Sequence, residues 1–282
     1  MPELPEVETI VRGLRLTLPG RRVTGVRLGK TDFIDDPAVL ERDLPGQKIL
    51  AVRRMGKYLL FDLEPADGSA GGASLLVHLG MTGRLVTAAP EEPEAPHTHA
   101  FFALDDGREL RYVDVRRFGR IALLAKDGAE LSKLGFEPLE ATEGQFADKL
   151  RGRRAPIKSV LLDQRVLRGI GNIYADESLW RARIHPLRLA GSLTSNEVRE
   201  LLRAVKSVLA AAIRMRGSSV SDYVDADGQR GLFQQRHRVY QREGKKCSRC
   251  GTAIERIVIG GRSSHFCPKC QRAPRRARKS KR

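Results

Sequence analysis

The spacing of apolar positions along the chain changes once, near residue 140. Before that point apolar residues come in short runs: RVTGVRL from Arg22, KILAVRR from Lys48, KYLLFDL from Lys57, SLLVHLG from Ser74, HAFFALDD from His99 and FGRIALLA from Phe118. Gly, Pro and Asp separate them, so each reads as a strand and together they predict a two-layer antiparallel sandwich. One helix precedes the strands, because Val7, Ile10, Val11, Leu14 and Leu18 recur at helical spacing. Pro5 suits its first turn, and Glu6 and Glu8 lie near the positive end of its dipole. After residue 140 the period is helical. Thr194 and Glu197 form a capping box ahead of Val198, Leu201, Leu202, Val205, Val208, Leu209 and Ile213, one long amphipathic helix.

Two segments lack a period. Residues around 88–96 are acidic and proline-rich, an exposed loop, and 217–235 is rich in Gly, Asp and Ser, a mobile loop. The expected class is α+β: an N-terminal antiparallel β-sandwich with an N-terminal helix, then a helical domain that ends in a cysteine-bearing hairpin. The expected boundaries are 1–135, 136–235, 236–272 and a basic, disordered tail at 273–282. No internal repeat is present.

Composition narrows the partners. A chain of 282 residues accommodates two domains. No apolar run approaches the roughly 18 residues of a membrane span, and MPELPEVET lacks the positive start and apolar core of a secretory signal. The expectation is therefore a cytoplasmic protein that makes no membrane contact. Of the net charge of +17, residues 236–282 supply +14, with 16 Lys and Arg against Glu243 and Glu255. Such a field attracts polyanions, because neutralising phosphates releases condensed counterions.

All four cysteines fall in this basic region. Cys247, Cys250, Cys267 and Cys270 follow C-x2-C-x16-C-x2-C, which suits four thiolates around one zinc ion at the base of a hairpin. Paired disulfides conflict with a cytoplasmic setting. A four-Cys site leaves zinc no open position for a substrate, so the metal is expected to be structural. GGRSS at 260–264 reads as the hairpin tip carrying Arg262 outward. Taken alone, such a ribbon implies contact with nucleic acid or protein and nothing narrower.

The N-terminus offers a nucleophile. If Met1 is removed, Pro2 presents a secondary amine. An α-amino group, with a reference pKa of about 7.7–8.0 against about 10.4 for lysine, is neutral near pH 7 more often by two to three decades. It can form an iminium with a sugar C1′, and Glu3 or Glu6 beside it can donate the proton that opens the ring. The same residues also make an ordinary helix start.

PELPEVET, MGKYLL, HLGMTG, DVRRFG, IKSVLLDQ, GIGNIYADE, YVDADGQRG and the four-Cys finger occur in that order from end to end. In this the chain resembles the bacterial formamidopyrimidine-DNA glycosylases. The resemblance implies a bifunctional glycosylase and AP lyase that removes 8-oxoguanine and formamidopyrimidines, then cleaves the strand by β,δ-elimination. It implies Pro2 as the Schiff-base nucleophile, Glu3 as general acid, Glu6 as a supporting acid and Lys57 in β-elimination. Arg262 is implied at the lesion phosphate and in δ-elimination. Met81, Arg116 and Phe118 fill the void left by the flipped base, with Arg116 facing the opposite cytosine. His78, His97, Arg153 and Asn172 contact phosphates or the duplex, and the 217–235 loop closes over the lesion. The implied partner is double-stranded DNA containing oxidised purines or abasic sites. The protein is expected to act as a monomer in the bacterial cytosol or nucleoid, with one structural Zn2+ and no redox cofactor.

Asn172 has a rationale of its own: Gly169 and Gly171 permit a tight turn, after which Asn172 caps the helix IYADESLWRARI and its backbone N–H groups face a phosphate. This fits a helix-two-turn-helix element. The chain departs from the family at His97-Thr98-His99, where threonine stands in place of the usual acid. Two other readings compete. An endonuclease VIII type acting on oxidised pyrimidines is opposed by PELPEVE in place of a PEGPE start, by the RRF wedge and by the intact capping loop. A non-catalytic DNA-binding protein using the zinc ribbon and basic tail predicts binding without turnover. The tail itself is expected to raise nonspecific DNA affinity.

Overall fold

Helix α1 (Leu4–Thr17) turns one apolar face inward, burying Leu4, Val7, Ile10, Val11 and Leu14, with Pro5 in its first turn. It opens the computed structural model, which describes residues 1–65, 72–125, 131–220, 223–226 and 228–273. Strand β1 (Val23–Leu28) follows, then α2 (Pro37–Asp43), capped by the Asp36 carboxylate, which accepts from the Val39 N–H at 3.0 Å. Six of the remaining strands of the sandwich are β2 (Lys48–Met55), β3 (Tyr58–Glu64), β4 (Ala73–His78), β5 (Arg84–Ala88), β6 (Thr98–Leu104) and β7 (Glu109–Val113). Strand β8 (Arg120–Ala125) completes it. They form two four-stranded sheets, β2-β3-β4-β8 and β1-β6-β7-β5, antiparallel throughout.

Strand alternation explains the apolar runs. Leu59, Phe61 and Leu63 of β3 join Val77 and Ile121 in the main core with Leu85, Phe102, Leu110 and Tyr112 of the other sheet. Leu60 points the other way and packs with Leu76 and Ala122 in a smaller cluster. Both faces of β3 are thus buried, which is why its sequence is nearly continuous in apolar residues. Each such side chain contributes about 1.5–3 kcal/mol by leaving water.

The structure adds α2, β5 and β7 to the elements expected from the pattern. β7 (ELRYV) is obscured by Arg111, which is 4% exposed yet sits in mid-strand. Its guanidinium donates to Glu109 at 2.8 Å and to the carbonyls of Glu92 at 2.8 Å and Ala89 at 3.1 Å. A buried cation satisfied in this way ties the proline-rich loop to the sheet.

The chain divides into two compact units, Met1–Leu134 with Ala212–Gln234, and Gly135–Ala211 with Gln235–Arg282. In the first, Tyr223 and Ala226 enter the sandwich core beside α1. Where the sequence pattern predicts a mobile loop over 217–235, Ser218, Ser219, Tyr223, Asp225 and Phe233 are buried. Residues 221, 222 and 227 of that loop lie outside the described residues.

The second unit holds α3 (Glu143–Leu150), α4 (Ile157–Leu162), α5 (Asn172–Ala182) and most of α6 (Ser195–Arg214). The expected capping box of α6 is present, since Glu197 accepts from the Thr194 N–H at 2.8 Å and Thr194 Oγ1 accepts from the Glu197 N–H at 3.3 Å. All seven apolar positions predicted for this helix are buried. Strands β9 (Glu255–Ile259) and β10 (Arg262–Phe266) pair as an antiparallel hairpin. Its two-residue turn is Gly260-Gly261, with φ of +55° and +76°, a conformation glycine adopts without strain. From residue 274 onward the basic tail lies outside the described residues. Among the described residues no helix is long and apolar enough to cross a membrane.

Candidate functional site

The start of α1 is an acidic niche inside the first unit. Pro2, Glu3 and Glu6 are all buried, Glu3 at 2% and Glu6 at 1% exposure. Met1 is present, so the Pro2 nitrogen is an amide here. Glu6 accepts from the Glu3 N–H at 2.8 Å through one carboxylate oxygen and from the Ser218 N–H at 2.7 Å through the other. Its carbonyl accepts from the Tyr223 hydroxyl at 3.2 Å. One carboxylate therefore fixes both the chain entering the helix and the irregular segment that returns to it. Burial, followed by the Glu6 charge, pushes the Tyr223 phenol far above its ordinary range, so it stays a donor. Gly217 makes the approach possible: its φ is +77°, and a Cβ there would lie 2.6 Å from Glu6 Oε1.

Lys57 sits at the turn between β2 and β3, after Gly56 with φ +61°. A lysine in a two-residue hairpin turn usually points to water, yet Lys57 is 8% exposed. Arg54 links this turn to α1, donating to Glu8 at 2.8 Å and to the Gly56 carbonyl at 3.3 Å. Burial raises the Glu8 carboxyl, but hydrogen bonds from Arg12 and Arg54 outweigh it and hold the acid below its usual range. Pro2, Glu3, Glu6 and Lys57 thus belong to elements packed together, with α1 against β2 and β3.

His78 ends β4 directly across from Tyr58. Burial, and then the charges of Lys57 and Arg120, push it down to about 4, so near neutral pH its Nδ1 accepts from the Gly80 N–H at 3.2 Å. That bond shapes the turn presenting Met81, which is 42% exposed. Beside it is the turn presenting Arg116 and Phe118, with the guanidinium 4.5 Å over the 55%-exposed phenyl ring. The two turns touch through glycine, since a Cβ on Gly80 would come within 2.3 Å of the Phe118 backbone. Met81, Arg116 and Phe118 are therefore grouped at the surface. His97 is exposed on the neighbouring loop with φ +66°, and its carbonyl accepts from the Asp114 N–H at 3.0 Å.

Sequence reasoning missed the residue that joins these turns. Asp114 is fully buried and accepts four hydrogen bonds, from the Thr82 hydroxyl at 2.5 Å, the Gly119 N–H at 3.0 Å, and the Arg116 N–H and Tyr112 hydroxyl at 3.2 Å each. Thr82 belongs to the Met81 turn and Gly119 to the Phe118 turn. A buried anion surrounded by donors from both holds the exposed trio in one arrangement. The available signal was the polar DVRRFG segment itself, with an acid where the chain leaves a strand.

In the second unit, α5 begins differently from expectation. Asn172 was expected to cap it, but Gly171 occupies the cap position with extended φ −128° and ψ −157°, and Asn172 is the first helical residue. The helix therefore starts one residue earlier than expected and has no side-chain cap, since glycine carries no acceptor. Asn172 Oδ1 is buried and has no hydrogen-bond partner among the described residues. Arg153 donates to Asp163 at 3.3 Å and is about one-third exposed. The Asp163 carboxyl is held down to about 2, first by Arg165 and, after burial opposes, also by Arg153.

Arg262 is exposed at the start of β10, beside the glycine turn. Its hairpin is anchored by a network that the spacing did not reveal. Lys158 of α4, fully buried, donates to Asp176 of α5 and to the Ser263 carbonyl at 3.4 Å. Asp176 accepts from the His265 N–H at 3.0 Å. Glu177 accepts three N–H groups, from Arg238, Val239 and Tyr240, each at 2.9 Å, and so pins the segment leading into the finger. Burial raises its carboxyl against those three bonds.

The four cysteines fit a metal. Their sulfurs all lie within 4.8 Å of one another. A tetrahedral zinc with bonds of about 2.3 Å needs sulfurs about 3.8 Å apart. Cys247, Cys250, Cys267 and Cys270 hold one structural zinc ion at the base of the hairpin, and Trp180, Val239 and Ile254 pack around it.

Comparison with known proteins agrees over nearly the whole chain. Residues 1–121 match the formamidopyrimidine-DNA glycosylase N-terminal domain, 134–224 the H2TH domain of the same proteins, and 244–273 the zinc finger found in FPG and IleRS. A formamidopyrimidine-DNA glycosylase of Pelotomaculum thermopropionicum is 47% identical, covering 96% of this chain and 99% of its own. The crystal structure of the MutM (FPG) protein from Thermus thermophilus is 44% identical with a TM-score of 0.85, covering 96% of this chain and 98% of that one. A point mutant of the Lactococcus lactis FPG in complex with a Fapy-dG containing DNA is 35% identical with a TM-score of 0.88, covering 96% and 100%.

Proposed function

Because the chain belongs to the formamidopyrimidine-DNA glycosylase family, we propose that it excises oxidised purines from duplex DNA and then cleaves the strand at the abasic site. The observation that carries this reading is the buried acid pair at the start of α1, Glu3 and Glu6 bonded through the Glu3 N–H, directly after Pro2. Once Met1 is removed, the Pro2 amine attacks C1′ of the damaged nucleotide. The bond from C1′ to the base breaks, the base leaves with the bonding pair, and Glu3 supplies the proton that opens the sugar ring. The product is an iminium between Pro2 and C1′. It acidifies the C2′ hydrogen, so loss of that proton expels the 3′ phosphate, and a second elimination expels the 5′ phosphate. Lys57 and Arg262 serve these two steps.

Extrusion of the base leaves a void in the duplex, which Met81, Arg116 and Phe118 fill, with Arg116 toward the opposite cytosine. His78, His97, Arg153 and Asn172 contact the backbone, and 217–235 closes over the lesion, tied to Glu6. Arg153 must exchange part of its bond with Asp163 for a phosphate. Zinc acts structurally, with its four thiolates leaving no open coordination position. The partner is lesion-bearing duplex DNA in the bacterial cytosol or nucleoid, as the Fapy-dG in the Lactococcus lactis complex suggests.

Borohydride trapping tests nucleophile and chemistry together. The processed chain should become covalently attached to a duplex carrying 8-oxoguanine opposite cytosine, and a chain that retains Met1 should not. Trapping at full yield with Met1 in place would remove Pro2 from the mechanism. A preference for thymine glycol over 8-oxoguanine would instead favour the pyrimidine-directed reading.

A further inference from the structure

The second unit contains a cavity of about 910 Å3, bounded by the C-terminal end of α5, the middle of α6 and the first cysteine loop of the finger. Its volume falls within the range of roughly 300–1,000 Å3 usual for ligand sites. Five guanidinium groups line it, those of Arg181, Arg183, Arg203, Arg238 and Arg249, against the single carboxylate of Glu200. That carboxylate is engaged, accepting from Arg203 at 2.9 Å. Arg249 is engaged as well: it lies 4.1 Å over the Trp180 ring and donates to the Trp180 carbonyl at 3.1 Å. Arg181, Arg183 and Arg238 are exposed and form no ion pair among the described residues. Three uncompensated charges in a concave wall concentrate the field that an anion meets.

We propose that this cavity is a docking site for an acidic peptide segment of a partner protein, used while DNA occupies the residues assigned above. The independence from DNA rests on the reading given under the proposed function. Asn172 opens α5 and the cavity takes its other end, so with 11 residues at about 1.5 Å each the two are roughly 15 Å apart. Arg262 lies at the hairpin turn, whereas Arg249 belongs to the cysteine loop. Five-residue strands at about 3.3 Å per residue separate the two by roughly 16 Å.

The wall favours carboxylates strung along a flexible chain over a compact phosphate. Phosphate sites draw on backbone N–H groups at a helix N-terminus. This wall instead presents the C-terminal end of α5, whose carbonyl dipoles oppose a dense anion more than carboxylates spread along a chain. Its guanidinium groups fork onto carboxylate and phosphate alike, so the preference for a peptide rests on that dipole and on the apolar floor. Trp180, Ala182 and Ala204 supply an apolar floor for an intervening side chain.

The test uses the full-length, zinc-loaded protein and a fluorescein-labelled ten-residue Asp/Glu peptide with one central phenylalanine, read by anisotropy at low salt. Saturable binding is expected, weakened at least tenfold by the double substitution Arg181→Glu/Arg238→Glu. The milder Arg181→Gln/Arg238→Gln should give an intermediate loss. Zinc content and circular dichroism confirm that both variants fold. Charge reversal at Lys30 and Arg42, exposed on the first unit, should change binding less than twofold, and saturating abasic-site duplex should leave the peptide bound. The proposal is overturned if the cavity variants bind normally, if the duplex displaces the peptide, or if tripolyphosphate competes at lower concentration than unlabelled peptide. Failure of the wild-type protein to cleave the duplex would count against the DNA reading alone, because peptide binding is scored separately.

Discussion

Replacing Asp114 by Asn changes almost no volume and isolates what the buried carboxylate does. Four donors converge on it: the Thr82 hydroxyl and Arg116 N–H on one oxygen, and the Tyr112 hydroxyl and Gly119 N–H on the other. An asparagine NH2 must face one of these pairs. The hydroxyl of that pair can rotate and accept, but the peptide N–H cannot: one orientation leaves the Gly119 N–H unsatisfied in a buried site, and the other leaves the Arg116 N–H only its 3.3 Å bond to Thr82 Oγ1. That costs about 1–3 kcal/mol, and the remaining bonds lose the charge that makes them roughly twice as strong as neutral ones. A total of about 2–4 kcal/mol follows, which for a body of this size lowers Tm by roughly 5–15 °C. The functional consequence is selective. The anchor shared by the Met81 and Phe118 turns loosens, so base extrusion suffers while chemistry at a site already lacking its base does not. Excision of 8-oxoguanine should fall on the order of tenfold, since about 1.4 kcal/mol of lost positioning converts to that factor, and nicking of a preformed abasic duplex should stay near wild type. The assay compares single-turnover rates on the two duplexes at a temperature well below the lowered Tm. An equal fall on both would refute the positioning role, as would an unchanged Tm.

Other outcomes follow from the same geometry. Gly217→Ala forces a Cβ to within 2.6 Å of Glu6 Oε1 at φ +77° and should cost about 2–4 kcal/mol through strain and loss of the Ser218 bond; faster hydrogen exchange at the Ser218 amide is the expected signature, and unchanged exchange contradicts it. His78 is held down to about 4 by burial and by Lys57 and Arg120, so the unfolded chain, with its ordinary value near 6.5, takes up the proton first. Its contribution to stability is complete above about pH 6.5, falls by up to roughly 1.4 kcal/mol per unit as pH drops toward 4, and is level below that. Urea titrations at pH 7 and 4.5 should therefore show a smaller pH dependence for His78→Asn, which keeps an acceptor for the Gly80 N–H, than for the wild type. Chelation of the zinc should release about 10 kcal/mol or more of site energy and shift the emission of Trp180, the single tryptophan, which packs against the cysteine cluster. Strand circular dichroism should persist, and unaltered emission after complete metal loss would argue against a structural ion.

Features that depend on near neighbours in the chain were legible as sequence. The α1 face, the Thr194 and Glu197 box, the α6 stripe, the glycine turn before Arg262 and the two C-x2-C pairs all act over a few residues, where helical or strand period and turn chemistry decide the outcome. The motifs of the family resemblance likewise nominated candidate site residues without reference to contacts. β7 escaped because a strand with a buried arginine, Arg111, does not alternate as an apolar strand does, and β5 because its five residues RLVTA bury only Leu85 and Ala88. The cap of α5 falls on Gly171, one residue before Asn172, a one-residue boundary that local pattern does not resolve.

What only the tertiary structure decided is which distant groups share a charge. Glu6 meets Ser218 across 212 positions, Asp176 meets His265 across 89, and Asp114 joins two turns that lie far apart in sequence. The sequence determined that these acids exist and which elements carry them. Whether each is buried, and which donors surround it, depends on how strands and helices pack, because a carboxylate leaves water only where packing has already assembled its partners.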